Sequence, residues 1–339
     1  MSEEQNTNND KIVFVGKITV SISLTCCLVL IIIYFIYYLQ VKFGILTDKE
    51  SNKNSIKKSI LEKPSEDGND DKNKKRIGLG SNYMFLLILS NFIGGAFELV
   101  LFISYDNGNL KGELCSFLGI THNFFELCAI CWTTMLTYLF YCSTIVSHEI
   151  FFKETKYLII GFLYTIPISL IFGVGPMINN YYGEEKYLCF FRYGDDMILF
   201  WNISHAIIIG LNLIFNCFFL FKTFVFYTKR AHILKKQNEK EYKQLLIYIW
   251  VFRIFPFVLI ITALIKGSSR IIAYFLSNES LLLKILGFSN VMIHNLNGFF
   301  NSMACFYFFR GVFWCCSSNN QKTTHEYITE IPETHEEDD

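Results

Sequence analysis

Residues 18–40 read ITVSISLTCCLVLIIIYFIYYLQ, a stretch without a single charged side chain. An uncharged apolar run of about 20 residues is the length that an α-helix needs to cross the ~30 Å hydrocarbon core of a bilayer. Six more such stretches follow along the chain, at about 82–104, 114–144, 157–178, 197–226, 244–265 and 284–309. Because lipid offers the backbone no hydrogen-bond partner, each span must be helical. The sequence therefore predicts an all-α membrane protein, a seven-transmembrane helix bundle.

The composition and the distribution of charge agree with this architecture and orient it. Of the 339 residues, 52% are hydrophobic and only 18% are charged. With the N-terminus outside, the inner segments hold 21 Lys and Arg residues and the outer segments hold 8. Because basic residues concentrate on the cytoplasmic side of membrane proteins, we expect the N-terminus out and the C-terminus in. The polar first residues do not resemble a cleavable signal peptide, so the first span is expected to direct insertion.

The segments outside the spans differ in character. We expect residues 1–14 to form an extracellular N-terminal segment, 15–310 the seven-helix domain and 311–339 a cytoplasmic tail. The first inner connection, 42–78, is rich in Lys, Asn, Ser, Asp and Glu and has little apolar surface to bury, which predicts a disordered loop. The third inner loop is basic and extends spans 5 and 6. Anionic lipid headgroups or an acidic partner such as a heterotrimeric G protein can bind its cations, Lys229, Arg230, Lys235 and Lys236.

The cysteines mark the outer and the inner face. Of eleven, only Cys115 and Cys189 fall in outer segments. An isolated outward pair in an oxidising compartment favours a disulfide over two free thiols. Cys315 and Cys316, just past the last span, are either palmitoylation sites or unmodified thiols at the membrane edge. Asn278 lies in an Asn-X-Ser sequon of the third outer loop and is the expected glycosylation site.

Polar residues within the spans form one stripe on each of helices 2, 3, 5 and 7. Exposing a polar side chain to lipid costs free energy, so such residues usually face the bundle interior. The inner-half asparagines, Asn212 and Asn216 among them, are expected to hydrogen-bond between helices. For the outer half, helix-to-helix bonding and a ligand pocket both remain open. The ligand-pocket candidates are Glu98, His122, Glu126, Asn202, His205, Arg253 and His294.

Arg253 raises a question of charge balance in the middle of span 6. At 1.5 Å per residue, Arg253 and Glu126 lie at similar depths, roughly halfway through the membrane. A guanidinium does not lose its proton, so it needs an anionic partner there. Glu126, Glu98 and a bound anionic ligand are the alternatives. The first two predict an ion pair that a ligand could break.

Three functional classes fit a seven-helix chain, and a receptor fits best. An intramembrane zinc hydrolase would use His122, His205 and His294, but the spans contain no Asp and no His-Glu-x-x-His motif. A transporter of the inverted-repeat type would show paired, interrupted helices in its two halves, and no such repeat is visible. Soluble catalytic motifs, phosphate-binding loops and nucleic-acid-binding patches are absent. We therefore expect no enzyme activity, no cofactor, no metal site and no nucleic-acid partner.

Short motifs separate the receptor families. Two marks of rhodopsin-like receptors are missing: helix 3 ends in Tyr141-Cys142-Ser143-Thr144 without an acid–Arg–aromatic triplet, and helix 7 lacks Asn-Pro-x-x-Tyr. Helix 7 instead carries 297–302, NGFFNS, and helix 3 carries 131–133, CWT. Together with Cys189 in an aromatic-rich outer loop, this pattern resembles the slime-mould cyclic AMP receptor family and its receptor-like relatives. The resemblance covers about 80–310, although the first inner connection is longer than that family leads one to expect.

The resemblance implies a function. By it, the chain would be a multi-pass plasma-membrane receptor that senses an extracellular small molecule and activates a heterotrimeric G protein. Cyclic AMP would be one candidate ligand. A cyclic nucleotide needs a cation for its phosphate, and the outward or mid-membrane cations are Lys186, Arg192, Arg253 and Arg270.

Overall fold

The computed structural model describes residues 3–42, 79–142, 154–179, 182–185, 188–191, 196–237, 289, 291–292 and 295–306. Long helices dominate these residues. In chain order they are α1 (Glu3–Lys42), α2 (Leu79–Asp106), α3 (Gly112–Tyr141), α4 (Glu154–Ser169) and α5 (Asp196–Gln237). Residues 295–306 form a further helical segment, named here the 295–306 segment.

Five of these helices are long and apolar enough to cross a bilayer. The apolar stretches are Asp10–Leu39, Asn82–Asp106, Gly112–Leu139, Lys156–Ile178 and Phe200–Phe226. They coincide with the first five predicted spans, so the chain is a multi-pass membrane protein. The sixth predicted span, 244–265, and part of the seventh lie outside the described residues. The full number of seven and the orientation stay predictions.

The first helix extends further than its apolar run. We expected residues 1–14 to precede the helix, but α1 begins at Glu3. The extension is held by tertiary contacts: Val13 is buried in a cluster with Phe102 of α2, and Lys17 forms an ion pair with Asp106 at the end of α2. Hydropathy locates only the part of a helix that lies in hydrocarbon. The helix thus extends beyond the predicted span 18–40 at its N-terminal end, and the extracellular position of residues 1–14 stays a prediction.

A tight turn joins α2 to α3. The Gly108 amide donates to the Tyr105 carbonyl at 2.9 Å, and the Asn109 amide donates to the Ser104 carbonyl at 2.9 Å. These two bonds, with Gly108 at φ 66°, form a Schellman cap that satisfies the last carbonyls of α2. Only a residue that tolerates a left-handed backbone suits this position. The turn makes α2 and α3 antiparallel neighbours.

The fourth span is not a uniform α-helix. After Pro167, α4 continues as a π-helical turn, Leu170–Val174, and then as a 3₁₀ turn, Gly175–Asn179. A proline within a helix removes a backbone donor, so the local hydrogen-bond pattern has to adjust. Beyond it lies an antiparallel hairpin of β1 (Tyr182–Glu185) and β2 (Leu188–Phe191). The fold is mostly helical, as predicted. The hairpin itself was not predicted, because the span periodicity carries no information about pairing in an outer loop.

The core of the described bundle forms around α3. This helix contacts α2, α4 and α5, while α1 packs on α2. Trp132 of α3 is buried between Tyr83 of α2, with ring centroids 5.6 Å apart, and Phe162 of α4, at 5.1 Å. Apolar side chains on the opposite faces of α1, α4 and α5 remain exposed, as lipid-facing surfaces require.

Candidate functional site

A polar cavity lies between α1, α2, α3 and the 295–306 segment. Three predicted ligand-pocket residues, Glu98, His122 and Glu126, line it together. Its volume is about 40 Å³. The remaining lining residues are Val20, Ser23, Ser90, Asn91, Gly94, Gly95, Phe125, Ala129, Asn295, Asn297 and Gly298. Sequence reasoning thus identified acidic and imidazole groups that the fold does bring to one place.

The second helix contributes one continuous face to the cavity. Asn91, Gly94, Gly95 and Glu98 follow one another at the spacing that keeps side chains on one side of a helix. The two glycines let neighbouring helices approach, since a Cβ on Gly94 would lie 3.3 Å from Phe125 Cβ and one on Gly95 3.3 Å from Leu24 Cδ2. Glu98, 5% exposed, is therefore held deep between α1 and α3.

The third helix places an imidazole one turn above a carboxylate. His122 Nε2 lies 4.0 Å from Glu126 Oε2, and both side chains are largely buried. When His122 is protonated, the two form an ion pair. Their i, i+4 spacing on one helix fixes this proximity without help from other helices.

Asparagines of the 295–306 segment complete the cavity wall. Asn295, 4% exposed, donates from Nδ2 to Thr19 Oγ1 at 3.2 Å and to the Gly16 carbonyl at 3.4 Å. Its Oδ1 is buried and has no hydrogen-bond partner among the described residues. Asn297 Oδ1 accepts from Asn301 Nδ2 at 3.3 Å. Sequence analysis did not single out Asn295, because it lies off the polar stripe that Asn297 and Asn301 share.

The electrostatic character of the cavity is acidic. Two carboxylates, amide and hydroxyl groups and one imidazole line it, and none of the lining residues that the structure describes is Lys or Arg. Pockets for organic ligands are commonly several hundred Å³, roughly tenfold larger. In the part of the chain that the structure covers, no group of three or more His, Cys, Asp or Glu side chains is arranged to hold a metal ion.

The outer hairpin is fastened to α3. The predicted disulfide between Cys115 and Cys189 is confirmed, with the two Cα atoms 5.2 Å apart. Tyr182 is buried: its hydroxyl donates to the Gly173 carbonyl at 2.6 Å and accepts from Asn123 Nδ2 at 3.1 Å. The second outer loop is thus tied covalently to α3 and by hydrogen bonds to both α3 and the π-helical turn. An aromatic residue in a loop gives no sequence signal for such an anchor.

The candidates on the fifth helix lie elsewhere. His205 is completely buried and Asn202 half-buried on α5, and neither lines the cavity. Below them, Asn212 Oδ1 accepts from Thr134 Oγ1 at 2.7 Å and from Tyr164 OH at 2.8 Å. The predicted role of the inner-half Asn212 and Asn216 in helix-to-helix hydrogen bonding is confirmed. Sequence analysis missed Tyr164 and the α3 threonines because their apolar neighbours made them unremarkable within the spans.

The predicted partner-binding residues are helical at the end of α5. The helix continues to Gln237, so Lys229, Arg230, Lys235 and Lys236 belong to one regular extension of the span. Lys229 is exposed. Arg253, His294, Asn278, Cys315 and Cys316 lie outside the described residues, and their assignments stay predictions.

One solved structure places the fold among known proteins. The chain is similar to the crystal structure of squid rhodopsin, with a TM-score of 0.54 and 16% sequence identity. The match covers 97% of this chain and 93% of that chain. No family model matches the sequence, and no curated protein matches it.

Proposed function

We propose that the chain is a G-protein-coupled receptor of the plasma membrane, related to the cyclic AMP receptor-like family. It senses an extracellular small molecule and activates a heterotrimeric G protein. The observation that carries the proposal is the squid rhodopsin fold, which extends over nearly the whole chain although the rhodopsin-like sequence marks are absent. A separate receptor family is expected to share the fold of rhodopsin but to carry different sequence motifs.

Two features of the described residues support signalling from the outside of the membrane to the cytoplasm. The Cys115–Cys189 disulfide lies at the hairpin end of the bundle, and disulfides persist in oxidising compartments, which favours an outward position for that end. The basic extension of α5 lies at the opposite end of its span. A cytosolic basic helix is suited to an acidic G-protein surface and also to anionic headgroups.

The charge of the candidate ligand can be compared with the charge of the cavity. Cyclic AMP carries one negative charge, whereas the described cavity has no Lys or Arg. The phosphate of a cyclic nucleotide would need a cation such as Lys186, Arg192, Arg253 or Arg270. The resemblance to cyclic AMP receptors makes cyclic nucleotides the first ligands to test. The small acidic cavity is an unsuitable site for their phosphate.

The test is ligand-stimulated nucleotide exchange. The full-length chain is incorporated into vesicles with heterotrimeric G proteins, and GTP uptake by the G protein is measured across cyclic nucleotides and other secreted metabolites. We expect one ligand to accelerate exchange and an Arg253→Gln variant to need more of an anionic ligand. Vesicles without the chain provide the background. If no ligand stimulates exchange but a ligand is taken up into the vesicles, the chain is a transporter and not a receptor.

A further inference from the structure

We propose that the last turns of span 5 bind an anionic phospholipid from the leaflet at the basic end of α5, the predicted cytoplasmic one. Lys222 and Lys229 contact the headgroup phosphate, and the exposed side chains of Phe218 and Phe215 lie along the acyl chains. The proposal concerns the lipid-facing surface of the helix and not the interior of the bundle, so it does not depend on the receptor function.

The position of Lys222 within the span is the first argument. It is the one Lys, Arg, Asp or Glu residue in the apolar stretch Phe200–Phe226. It lies one turn before the end of that stretch, or about 6 Å at 1.5 Å per residue. Its side chain is exposed, and the ion pairs of the described residues do not include it. A charged side chain in hydrocarbon without a counter-ion costs free energy, so Lys222 favours an anionic partner.

The contact with Phe218 does not replace that partner. Lys222 Nζ lies 5.8 Å from the centroid of the Phe218 ring, towards the middle of the span. The attraction of a cation to an aromatic ring is weaker than the cost of moving the ammonium group from water into hydrocarbon. Lysines near the end of a span therefore extend to the headgroups and leave the alkyl stem among apolar groups. One helical turn is about the length of that stem. Lys222 can thus reach a lipid phosphate.

An exposed stripe along α5 joins the two lysines to apolar side chains. The residues that share this face, within about 60° at 100° per residue, are Leu211, Phe215, Phe218, Lys222 and Lys229. All of them are exposed. The apolar members lie deeper in the span, and the cationic members lie near its end and beyond it. A phospholipid has the same order of chemistry along its length, with acyl chains first and a phosphate after them.

The depth of Lys222 favours a lipid over an acidic protein. A protein surface outside the bilayer can reach Lys229, which lies beyond Phe226, but not a side chain that begins inside the hydrocarbon. Zwitterionic phospholipids have no net charge, whereas anionic ones attract basic residues at the membrane surface. The two lysines therefore select the anionic class of lipid.

The experiment measures the affinity of the purified full-length chain for single lipids. In a neutral detergent, the chain is titrated with phosphatidylserine or phosphatidylcholine, and native mass spectrometry gives the apparent affinity for the first lipid bound. We expect phosphatidylserine to bind at least about fivefold more tightly, the factor that one basic residue contributes at an anionic surface. Glycerophosphoserine, the headgroup without acyl chains, should not compete. Equal affinities for the two lipids, or competition by glycerophosphoserine, would overturn the proposal.

Three variants locate the site. Lys222→Gln should lower the affinity for phosphatidylserine about fivefold and leave that for phosphatidylcholine unchanged. Lys222→Arg keeps the charge and should keep the affinity. Lys156→Gln is the matched control, since Lys156 is an exposed lysine in the first turn of α4, on the same predicted side of the membrane. Equal losses in Lys222→Gln and Lys156→Gln would show that only the overall surface charge matters.

The comparison of the two lipids on the wild-type chain covers the case in which a variant does not fold. A wild-type chain that does not prefer phosphatidylserine contradicts the proposal whatever the variants show. None of these measurements uses an activating ligand or a G protein. Failure of the lipid site and failure of the receptor function are therefore distinguishable.

Discussion

Single glycines decide how closely the helices of this bundle approach. A Cβ on Gly173, in the π-helical turn, would lie 2.9 Å from Phe124 Cα and 3.1 Å from Phe124 N. Backbone atoms at that distance cannot move aside as a flexible side chain can. Gly210 on α5 has nothing within 4 Å of its hypothetical Cβ. The two glycines therefore have different roles, although the sequence presents both simply as glycines in apolar spans.

Gly173→Ala should destabilise the protein, because the added methyl group forces α3 and the π-helical turn apart. We expect a loss of about 1–3 kcal/mol in unfolding free energy, the usual cost of overpacking. Gly210→Ala is the matched control and should cause no loss, since alanine has the higher helix propensity. Thermal unfolding of the purified variants measures both. Equal stability of the two variants would contradict the close approach at Gly173.

Among elements, the hairpin β1–β2 depends on a covalent tie and a buried tyrosine. The disulfide joins β2 to the first turn of α3, and Tyr182 of β1 bonds to Asn123 and Gly173. A two-stranded hairpin alone is only marginally stable in water. Its position over the outer end of α3 therefore depends on these anchors.

Loss of the disulfide should cost about 2–5 kcal/mol, in the range for native disulfides. Cys115→Ser, Cys189→Ser and the double variant should be equally destabilised, because either single change breaks the same bond. Cys26→Ser, at a half-buried free cysteine of α1, controls for removal of a thiol. Thermal unfolding without reductant measures the effect. Additive losses in the double variant would show that the bond does not form.

A hydrogen-bond network fixes α5 against α3. Thr137 Oγ1 donates to Asn216 Oδ1 at 2.6 Å, and Asn216 Nδ2 donates to Thr134 Oγ1 at 2.7 Å. All three side chains are buried. Interhelical hydrogen bonds in membranes are worth only about 0.6–2 kcal/mol each, so the network sets the register of the helices more than it adds stability.

Thr137→Val and Asn216→Leu should be energetically coupled. A double-mutant cycle is expected to give about 0.5–2 kcal/mol, because each change alone removes the same bond. Thr228→Val with Asn216→Leu is the control cycle: Thr228 on the same helix donates only to the Phe224 carbonyl at 2.8 Å. That pair should show no coupling. Zero coupling between Thr137→Val and Asn216→Leu would show that this hydrogen bond does not hold α5 against α3.

On the scale of the whole molecule, basic residues are concentrated on the predicted cytoplasmic side. The basic extension of α5 and the basic connection 42–78 both belong to the predicted cytoplasmic side. The α5 extension is a regular helix that continues a span to Gln237. A protein partner that binds the basic end of α5 should therefore respond to loss of charge there and not in 42–78, whereas anionic lipid should respond to both.

Neutralising the α5 extension should weaken G-protein coupling. In the variant Lys229→Gln, Arg230→Gln, Lys235→Gln and Lys236→Gln, we expect the apparent affinity for the G protein to fall about tenfold or more, because electrostatic attraction is lost. The matched control replaces four lysines of the first inner connection, Lys53, Lys57, Lys58 and Lys63, by Gln. Nucleotide exchange at increasing G-protein concentration measures the change. An equal decrease in both variants would assign the effect to lipid or net charge instead.

The sequence by itself determined the membrane class, the first five spans and the outer cysteine pair. The length of an apolar run and the compartment of a cysteine can both be inferred from one segment of the sequence. Residues 18–40 and Cys115 could therefore be assigned without knowledge of the contacts in the fold. The pairing of His122 with Glu126 was also predictable, because both lie on one helix, one turn apart.

Only the tertiary structure decided which polar residues meet. Glu98 joins His122 and Glu126 in the cavity because glycines let α2 approach, while His205 is buried elsewhere on α5. Helix periodicity gives the face of each residue but not the rotation and crossing of one helix against the next. The hairpin and the Asn295 carbonyl oxygen likewise depend on contacts distant in sequence. The physical reason is that helix formation is local, whereas packing between helices is not.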